Sequence, residues 1–430
     1  MTKAVNEAIE AALPGQGGSV AVAEVQGLYG PFAFSERLLQ KIWLRGDFEL
    51  GRAQTVDGRR VTILHPGRWN SLGGPDFKGA RLHFDSGAEI TGDIELHLHA
   101  GDWATHRHAA DAAYDDVRLH VVLFQPASGH VTRGAGGTEI PVLALLALLH
   151  HDLEEYAAEE AVQSMANRPA SQIIERLGGL PPEELTALLA SHALARWRQK
   201  VHFAGLRVRR LGWAGACHQT ALEILGYRFN RAPMLRLAGV RPLAAWEADD
   251  FDSEAAYENE RSGWSLQGIR PANHPRRRLA QYAAWARARR DWPARLLASS
   301  DSMPRIGDAD ARLTGEVRRA HQLAAVRTGW ANAICADAIG GTRFDNLVCD
   351  GFLPLLAAAR DLSAETQPVW FHWFPGDLPP LLPGALRQLG VFAAPARPAN
   401  HGAAQGLLGW LLDRQQGPAS AGQDASSSGR

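Results

Sequence analysis

The ten residues Ile90–His99, ITGDIELHLH, constrain this chain more than any other stretch. Side chains alternate across a β-strand. Ile94, Leu96 and Leu98 therefore share one face, and Asp93, Glu95, His97 and His99 share the other. The first face is core. The second is a row of two carboxylates and two imidazoles, costly to bury unless paired or bound to a cation. Either it is the solvated side of an antiparallel sheet or it is a site. Asp76 lies just before the preceding strand, and His106, His108 and His120 follow within 23 residues of His97. No other part of the chain groups acids and imidazoles so closely, so chemistry is expected here.

The flanking sequence supplies the frame. SERLLQKIWLRG predicts a helix capped by Ser35, with Leu38, Leu39, Ile42 and Trp43 as its apolar stripe and Gly46 as its end. Asp57-Gly58 between alternating runs marks a hairpin. GARLHFDSG and ITGDIELHLH read as two further strands turning near Ser86-Gly87. DWATHRHAADAAYDDV reads as helical and LHVVLFQP as a buried strand, with EIPVLAL as a further edge strand. On a continuous helix His106 and His108 would diverge, so both reach one ion only if that segment is loop. His120 reads as a packed or hydrogen-bonded residue, Trp103 as packing, and Tyr114 as core with a hydroxyl within reach of the site.

The expected fold is α+β: helix, three or four antiparallel strands, helix, strand, followed by a mostly α-helical region. The boundaries read as a flexible leader over 1–25, the α+β domain over 26–148, helices over 149–414 and a disordered tail over 415–430. Asn230 and Asn273 each precede a helix that they cap or that a proline introduces.

Apolar residues make up 46% and the net charge is −1, so any nucleic-acid contact must rest on local patches rather than a global field. Cys217, Cys335 and Cys349 are too scattered for a disulfide framework or a Cys-x-x-Cys site, which suits a reducing cytosol. No apolar run approaches the roughly 18–20 residues that span a bilayer, and no signal peptide is evident, so a cytoplasmic protein without a membrane partner is expected. Phosphate-loop and nucleophile-elbow motifs are missing.

Gly-Pro-Asp76, followed after a turn by Gly-Asp93-Ile-Glu95-Leu-His97, resembles the PD-(D/E)XK core of restriction-type nucleases over about residues 30–125. The resemblance implies that Asp76 and Glu95 bind a divalent ion, with Glu36 as the first-helix acid and Asp93 as a further carboxylate. His97 stands where that family carries lysine. It would act as a general base or a ligand, without the permanent cation. Carboxylates favour Mg²⁺ or Mn²⁺, and added imidazoles tilt the choice toward Mn²⁺ or Zn²⁺. Over the whole chain, LLQKIWLRGDF, ILHPGRWNSLGGPDF, GIRPANHPRRRLAQ and NHGAAQGLL resemble an uncharacterised bacterial family, the domain-of-unknown-function 2851 group.

These readings imply a metal-dependent phosphodiesterase acting on DNA or RNA, with Asp76, Glu95 and His97 catalytic. Arg276 and Arg277 would contact the nucleic acid. Two other classes stay open. One is a binding module on a degenerate nuclease fold. The other is a Zn²⁺-dependent hydrolase of small molecules using His97, His99 and His106 or His108. The Arg196–Arg210 cluster reads either as nucleic-acid surface or as a salt-bridged helix face.

Overall fold

The structure is a computed structural model that describes residues 22–416, apart from 28–29, 71–72, 152, 154, 158–159, 161–169, 228–229, 267–268 and 308–312. A short hairpin, β1 (Val22–Gly27) with β2 (Gly30–Ser35), leads into α1 (Glu36–Arg45). Residues 22–25 of the expected leader thus belong to a strand, and residues 1–21 lie outside the described ones. The start of α1 follows from its sequence. Ser35 Oγ accepts the Leu38 amide at 3.2 Å, a cap worth about 1 kcal/mol. The helix ends where Gly46 turns left-handed at φ 58°.

A six-stranded sheet packs against α1. It comprises β3 (Val61–His65), β4 (Arg68–Trp69), β5 (Phe77–Phe84), β6 (Ile90–His97), β7 (Val117–Val122) and β10 (Val142–Ala144). Its order is β10-β7-β6-β5-β3, with β4 also paired to β5. The β3–β5 and β5–β6 pairs are antiparallel, whereas β6–β7 and β7–β10 are parallel. Between β7 and β10 lies a small hairpin, β8 (Thr132–Arg133) with β9 (Glu139–Ile140). Leu39, Ile42, Trp43, Phe77, Ile94 and Leu119 are all 2% exposed or less and form one core between helix and sheet. Each such side chain stabilises the fold by about 1.5–3 kcal/mol relative to exposure.

The segment between β6 and β7 departs from expectation. It is not one helix but a single turn, α2 (Asp102–Thr105), followed by 3₁₀ turns at His108–Ala110 and Ala112–Tyr114. Arg107, at φ 58° and ψ 33°, breaks the helical path between His106 and His108.

Beyond residue 148 the chain is helical, as its spacing predicts. After α3 (Ser171–Leu177) comes α4 (Pro182–Gly226), which is interrupted at Gly212 with φ 71° and ψ 171°. Its two legs fold back on each other, so Arg207 Nη1 donates to Thr220 Oγ1 at 2.8 Å. Next come α5 (Arg231–Val240), α6 (Leu243–Trp246), α7 (Ser253–Asn259), α8 (Pro275–Ala288), α9 (Trp292–Ser299), α10 (Thr314–Ala320) and α11 (Leu323–Cys335). Helix α12 (Gly341–Asn346) continues through a π-helical turn, Leu347–Phe352, into α13 (Leu353–Arg360). The last helices are α14 (Ser363–His372), α15 (Leu381–Gln388) and α16 (His401–Gln416). The remaining tail residues, 417–430, lie outside the described ones.

Neither predicted asparagine cap forms. Asn230 instead pins the Ser265 backbone, accepting its amide at 2.8 Å and donating to its carbonyl at 3.0 Å. Asn273 accepts from Arg278, and the helix is opened by Pro275. Polar contacts join the N-terminal module to the helices that follow, among them Arg236 Nη1 donating to Gly46 O, Arg207 Nη2 3.2 Å from His151 Nδ1, and His151 paired with Glu223, while Tyr156 Oη donates to Asp47 O. No helix among the described residues is long and apolar enough to cross a membrane.

Candidate metal centre

Glu95 and His97 project from β6 into the protein, 6% and 1% exposed. Parallel pairing sets His120 of β7 directly across from Glu95, where it is fully buried. His97 Nδ1 lies 2.9 Å from His120 Nε2, and His120 Nδ1 lies 2.9 Å from Thr132 Oγ1. The other nitrogen of His97, Nε2, lies 3.1 Å from His106 Nδ1 and 3.2 Å from His108 Nε2. Glu95 Oε1 stands 3.4 Å from His108 Nε2 and 3.6 Å from His97 Nε2. His108 is buried beneath Tyr114, their rings stacked at 3.9 Å, while His106 is exposed.

One ring nitrogen carries one proton or one lone pair, so His97 Nε2 cannot complete linear hydrogen bonds to both His106 and His108. A cation between them satisfies all three. Four ligands around Zn²⁺ at about 2.0–2.1 Å stand about 3.3–3.4 Å apart. The 3.1 and 3.2 Å separations from His97 Nε2 to the other two imidazoles fall just inside that edge, and Glu95 Oε1 stands beside two of the three at 3.4 and 3.6 Å. The back of the site fits as well. With the metal on Nε2, His97 Nδ1–H donates to His120, which in turn donates to Thr132, the outer hydrogen bonding that metal-bound histidines require.

The electrostatics agree. Burial, with neighbouring imidazoles adding to it, holds His97 down to about 2, His120 to about 3 and His108 to about 4, so all three are neutral near pH 7. Burial and the charges of Asp76 and Glu36 push Glu95 up to about 9, against the pull of the Asp76 amide. Neutral imidazoles beside a protonated carboxyl are not ion pairs, so the His–Glu95 contacts contribute no Coulombic stabilisation on their own. Burial also pushes the Tyr114 phenol up, helped by Glu95 and Asp76.

Asp76 belongs to the same cluster. Its Oδ1 accepts from Gln40 Nε2 at 2.7 Å and its Oδ2 from the Leu96 amide at 3.1 Å. Its own amide donates to Glu95 Oε2 at 3.0 Å, and burial pushes its carboxyl up to about 6. Both Asp76 oxygens are therefore occupied, and the free face of Glu95, Oε1, points at the imidazoles. Glu36, in the first turn of α1, reaches the site through its field on Glu95.

Other expected participants lie elsewhere. Asp93 Oδ1 accepts the Gly79 amide at 3.0 Å, because irregular pairing in β5 and β7 interrupts the alternation beside it. His99 follows the end of β6 and stacks on Phe124 at 4.8 Å. Arg276 pairs with Glu254 and Glu258 and lies over the Tyr257 ring, and Arg277 is exposed on α8. Two of the α4 cations turn inward, Lys200 pairing with Asp350 at 2.7 Å and Arg207 with Glu223 at 2.6 Å, whereas Arg198, Arg209 and Arg210 stay exposed. Sequence reasoning underrated His106, His108 and His120, and passed over Gln40 and Thr132.

A second group, His151 with Glu155 and Glu223, also brings three potential ligands together. Here the carboxylates push His151 up to about 9 against its burial, and Arg207 and Arg231 occupy Glu223. It is an ion-pair network between charged groups, with the imidazole itself a cation.

Fold and site together define an α+β protein with an imidazole–carboxylate cluster on a mixed sheet and a large helical region behind it. The chain belongs to the family described as "Protein of unknown function (DUF2851)", which matches residues 36–257, just over half of the 430. No curated protein and no solved structure matches it.

Proposed function

We propose that this protein is a metal-dependent hydrolase whose substrate is a phosphodiester of DNA or RNA, that His97, His106 and His108 would hold the ion with a fourth position open to water, and that Glu95 stands beside that position. The observation that carries the reading is the convergence of three imidazole nitrogens, from His97, His106 and His108, with the Glu95 carboxyl beside two of them. This donor set moves the preferred metal from the Mg²⁺ that carboxylates alone would favour toward Zn²⁺, with Mn²⁺ next. Bound there, the ion would polarise the scissile group and lower the pKa of water. The chain's own residues do the rest. Asp76 positions Glu95 through its amide, His120 and Thr132 fix the ring of His97, and exposed His106 marks the side open to solvent.

The phosphodiester assignment is supported by the sequence of elements. Helix α1 is followed by antiparallel β3, β5 and β6, a short crossing segment and parallel β7. By the resemblance, Glu36, Asp76 and Glu95-Leu-His97 would take the places of a PD-(D/E)XK core's acids and lysine. A second reading, a Zn²⁺-dependent hydrolase of small esters or amides, is favoured by the imidazole-rich donor set. It also suits an Arg276 committed to its own ion pairs.

The test uses the full chain, its metal content by plasma mass spectrometry, and cleavage of single-stranded DNA, duplex DNA and RNA with Zn²⁺, Mn²⁺ or Mg²⁺. A p-nitrophenyl ester runs in parallel. Stoichiometric metal, lost in His106→Ala, and nucleic-acid cleavage, lost in Glu95→Ala and His106→Ala, are expected. Metal with ester hydrolysis alone would favour the second reading. Failure to bind any of the three metals would overturn both.

A further inference from the structure

A cavity of about 320 Å³ lies within the helical region, apart from the imidazole cluster. It is bounded by both legs of α4, by the π-helical turn at Leu347–Phe352 and by the first turns of α16. Its size falls at the lower end of the range for small-molecule sites. Phe203, Ile224, Tyr227, Leu355, Leu378 and Leu408 give it apolar walls. A π-helical turn at a cavity wall is a recurrent mark of function. Here it carries Asp350 and Gly351 to the lining, and Gly351 packs so closely that a Cβ would meet Thr220 and Ile224 at 3.0–3.1 Å.

The hydrogen bonds around this cavity are unevenly used. Every carboxylate in the wall is engaged. Asp350 accepts from Lys200 at 2.7 Å and from Asn346 at 3.1 Å. Asp377 accepts from Thr342 and Arg343, both at 2.7 Å. Glu223 is held by Arg207, Arg231 and His151, and Glu155 by His151 at 3.1 Å. The capacity left over is donor capacity. Lys200 has three N–H bonds and gives one to Asp350. The Nε of Arg343 is buried with no acceptor among the described residues. His401 is 1% exposed, and neither ring nitrogen has a partner among them. Burial holds that ring neutral, with its pKa down to about 3, so it offers one N–H and one lone pair. An imidazole left this way costs about 1–3 kcal/mol unless something in the cavity meets it.

We propose that this cavity is a binding site for a small organic anion, a carboxylate or phosphate head on an apolar body. The head takes the spare donors of Lys200, His401 and Arg343, and the body lies against Phe203, Tyr227 and Leu355. The cationic residues of the lining outnumber the acidic ones by one, five (Arg196, Lys200, Arg207, Arg231, Arg343) against four (Glu155, Glu223, Asp350, Asp377), which suits a monoanion. The N-terminus of the sixteen-residue α16, at His401, adds its partial positive charge to the same end.

The test is calorimetric titration of the metal-stripped full chain with benzoate and phenyl phosphate, and with neutral benzamide as their counterpart. Stripping the metal separates this cavity from the cluster on the sheet. One molecule of either anion should bind, about tenfold or more tighter than benzamide. Ala204→Trp places an indole in the cavity from a half-buried position on α4 and should abolish binding while the protein stays folded by circular dichroism. His401→Leu should weaken binding by about tenfold. Equal affinity for benzamide, unchanged binding by Ala204→Trp, or no binding of either anion up to about 10 mM would overturn the proposal.

Discussion

His106 separates a metal centre from a packed histidine cluster, because it is the exposed member of the group. In the metal-free protein His106→Ala removes one contact, the 3.1 Å approach to His97 Nε2. At a solvent-exposed position that costs no more than about 1 kcal/mol. With the ion bound, the same change would remove one of the three imidazole ligands. Loss of an outer hydrogen bond to a ligand already costs about 10–100-fold in affinity, so loss of a ligand should cost at least about 100-fold. With free Zn²⁺ at about 1,000 times the wild-type Kd, the ion stabilises the wild type by about 4.1 kcal/mol and the variant by about 1.4. The difference, about 2.7 kcal/mol, should appear in urea unfolding with Zn²⁺ and vanish with chelator. Equal stabilisation of both proteins by Zn²⁺, or of neither, would refute the reasoning. So would an equal loss of stability with and without the metal.

Three further outcomes follow from other contacts. His120→Phe keeps a planar ring in the buried position but leaves His97 Nδ1 without its partner, so Zn²⁺ affinity, read by competition with a chromophoric chelator, should fall about 10–100-fold. His151 sits among Glu155, Glu223, Arg207, Arg231, Asp47 and His150, and its folded pKa is raised to about 9. Its contribution, up to about 3 kcal/mol, is complete below the unfolded value of about 6.5 and lost as pH rises through 9, so His151→Gln should flatten the fall in denaturant midpoint over that window. Gly406 brings α16 onto α4 so closely that a Cβ would lie 2.1 Å from Leu189 O, and Gly406→Ala should lower the unfolding free energy by about 1–3 kcal/mol.

Local signals in the sequence carried far, and non-local pairing set the limit. Helix α1 was readable to its caps because Ser35, the Leu38–Trp43 stripe and Gly46 act within one helix. The core face of β6 was equally plain, and Ile94, Leu96 and Leu98 are all buried. The polar face was only half right. Glu95 and His97 stay together, but Asp93 is drawn to Gly79 by irregularities in the neighbouring strands, and His99 falls past the strand end. Alternation along one strand contains no trace of a bulge in its neighbours. His106 and His108 meet because Arg107 adopts a left-handed conformation, which nothing in an arginine announces. The cations of α4 looked like a surface because their partners, Glu223 and Asp350, come from the other leg and from a turn 150 residues away.

The centre is assembled from separate segments, and that has a thermodynamic consequence. Glu95 and His97 come from β6, His106 and His108 from the crossing segment, and His120 from β7. Gln40 of α1 holds Asp76, whose amide holds Glu95. The His97–His120 contact exists only once β7 docks parallel to β6 and sets Glu95 opposite His120. Before that step the histidines are ordinary solvated imidazoles, and burying them together is unfavourable, as their depressed pKa values record. An ion held there would therefore bind the folded sheet far better than the unfolded chain, and its binding free energy would become stability of the sheet. By the same linkage, weakening the β6–β7 pairing should weaken metal binding even where no ligand is touched.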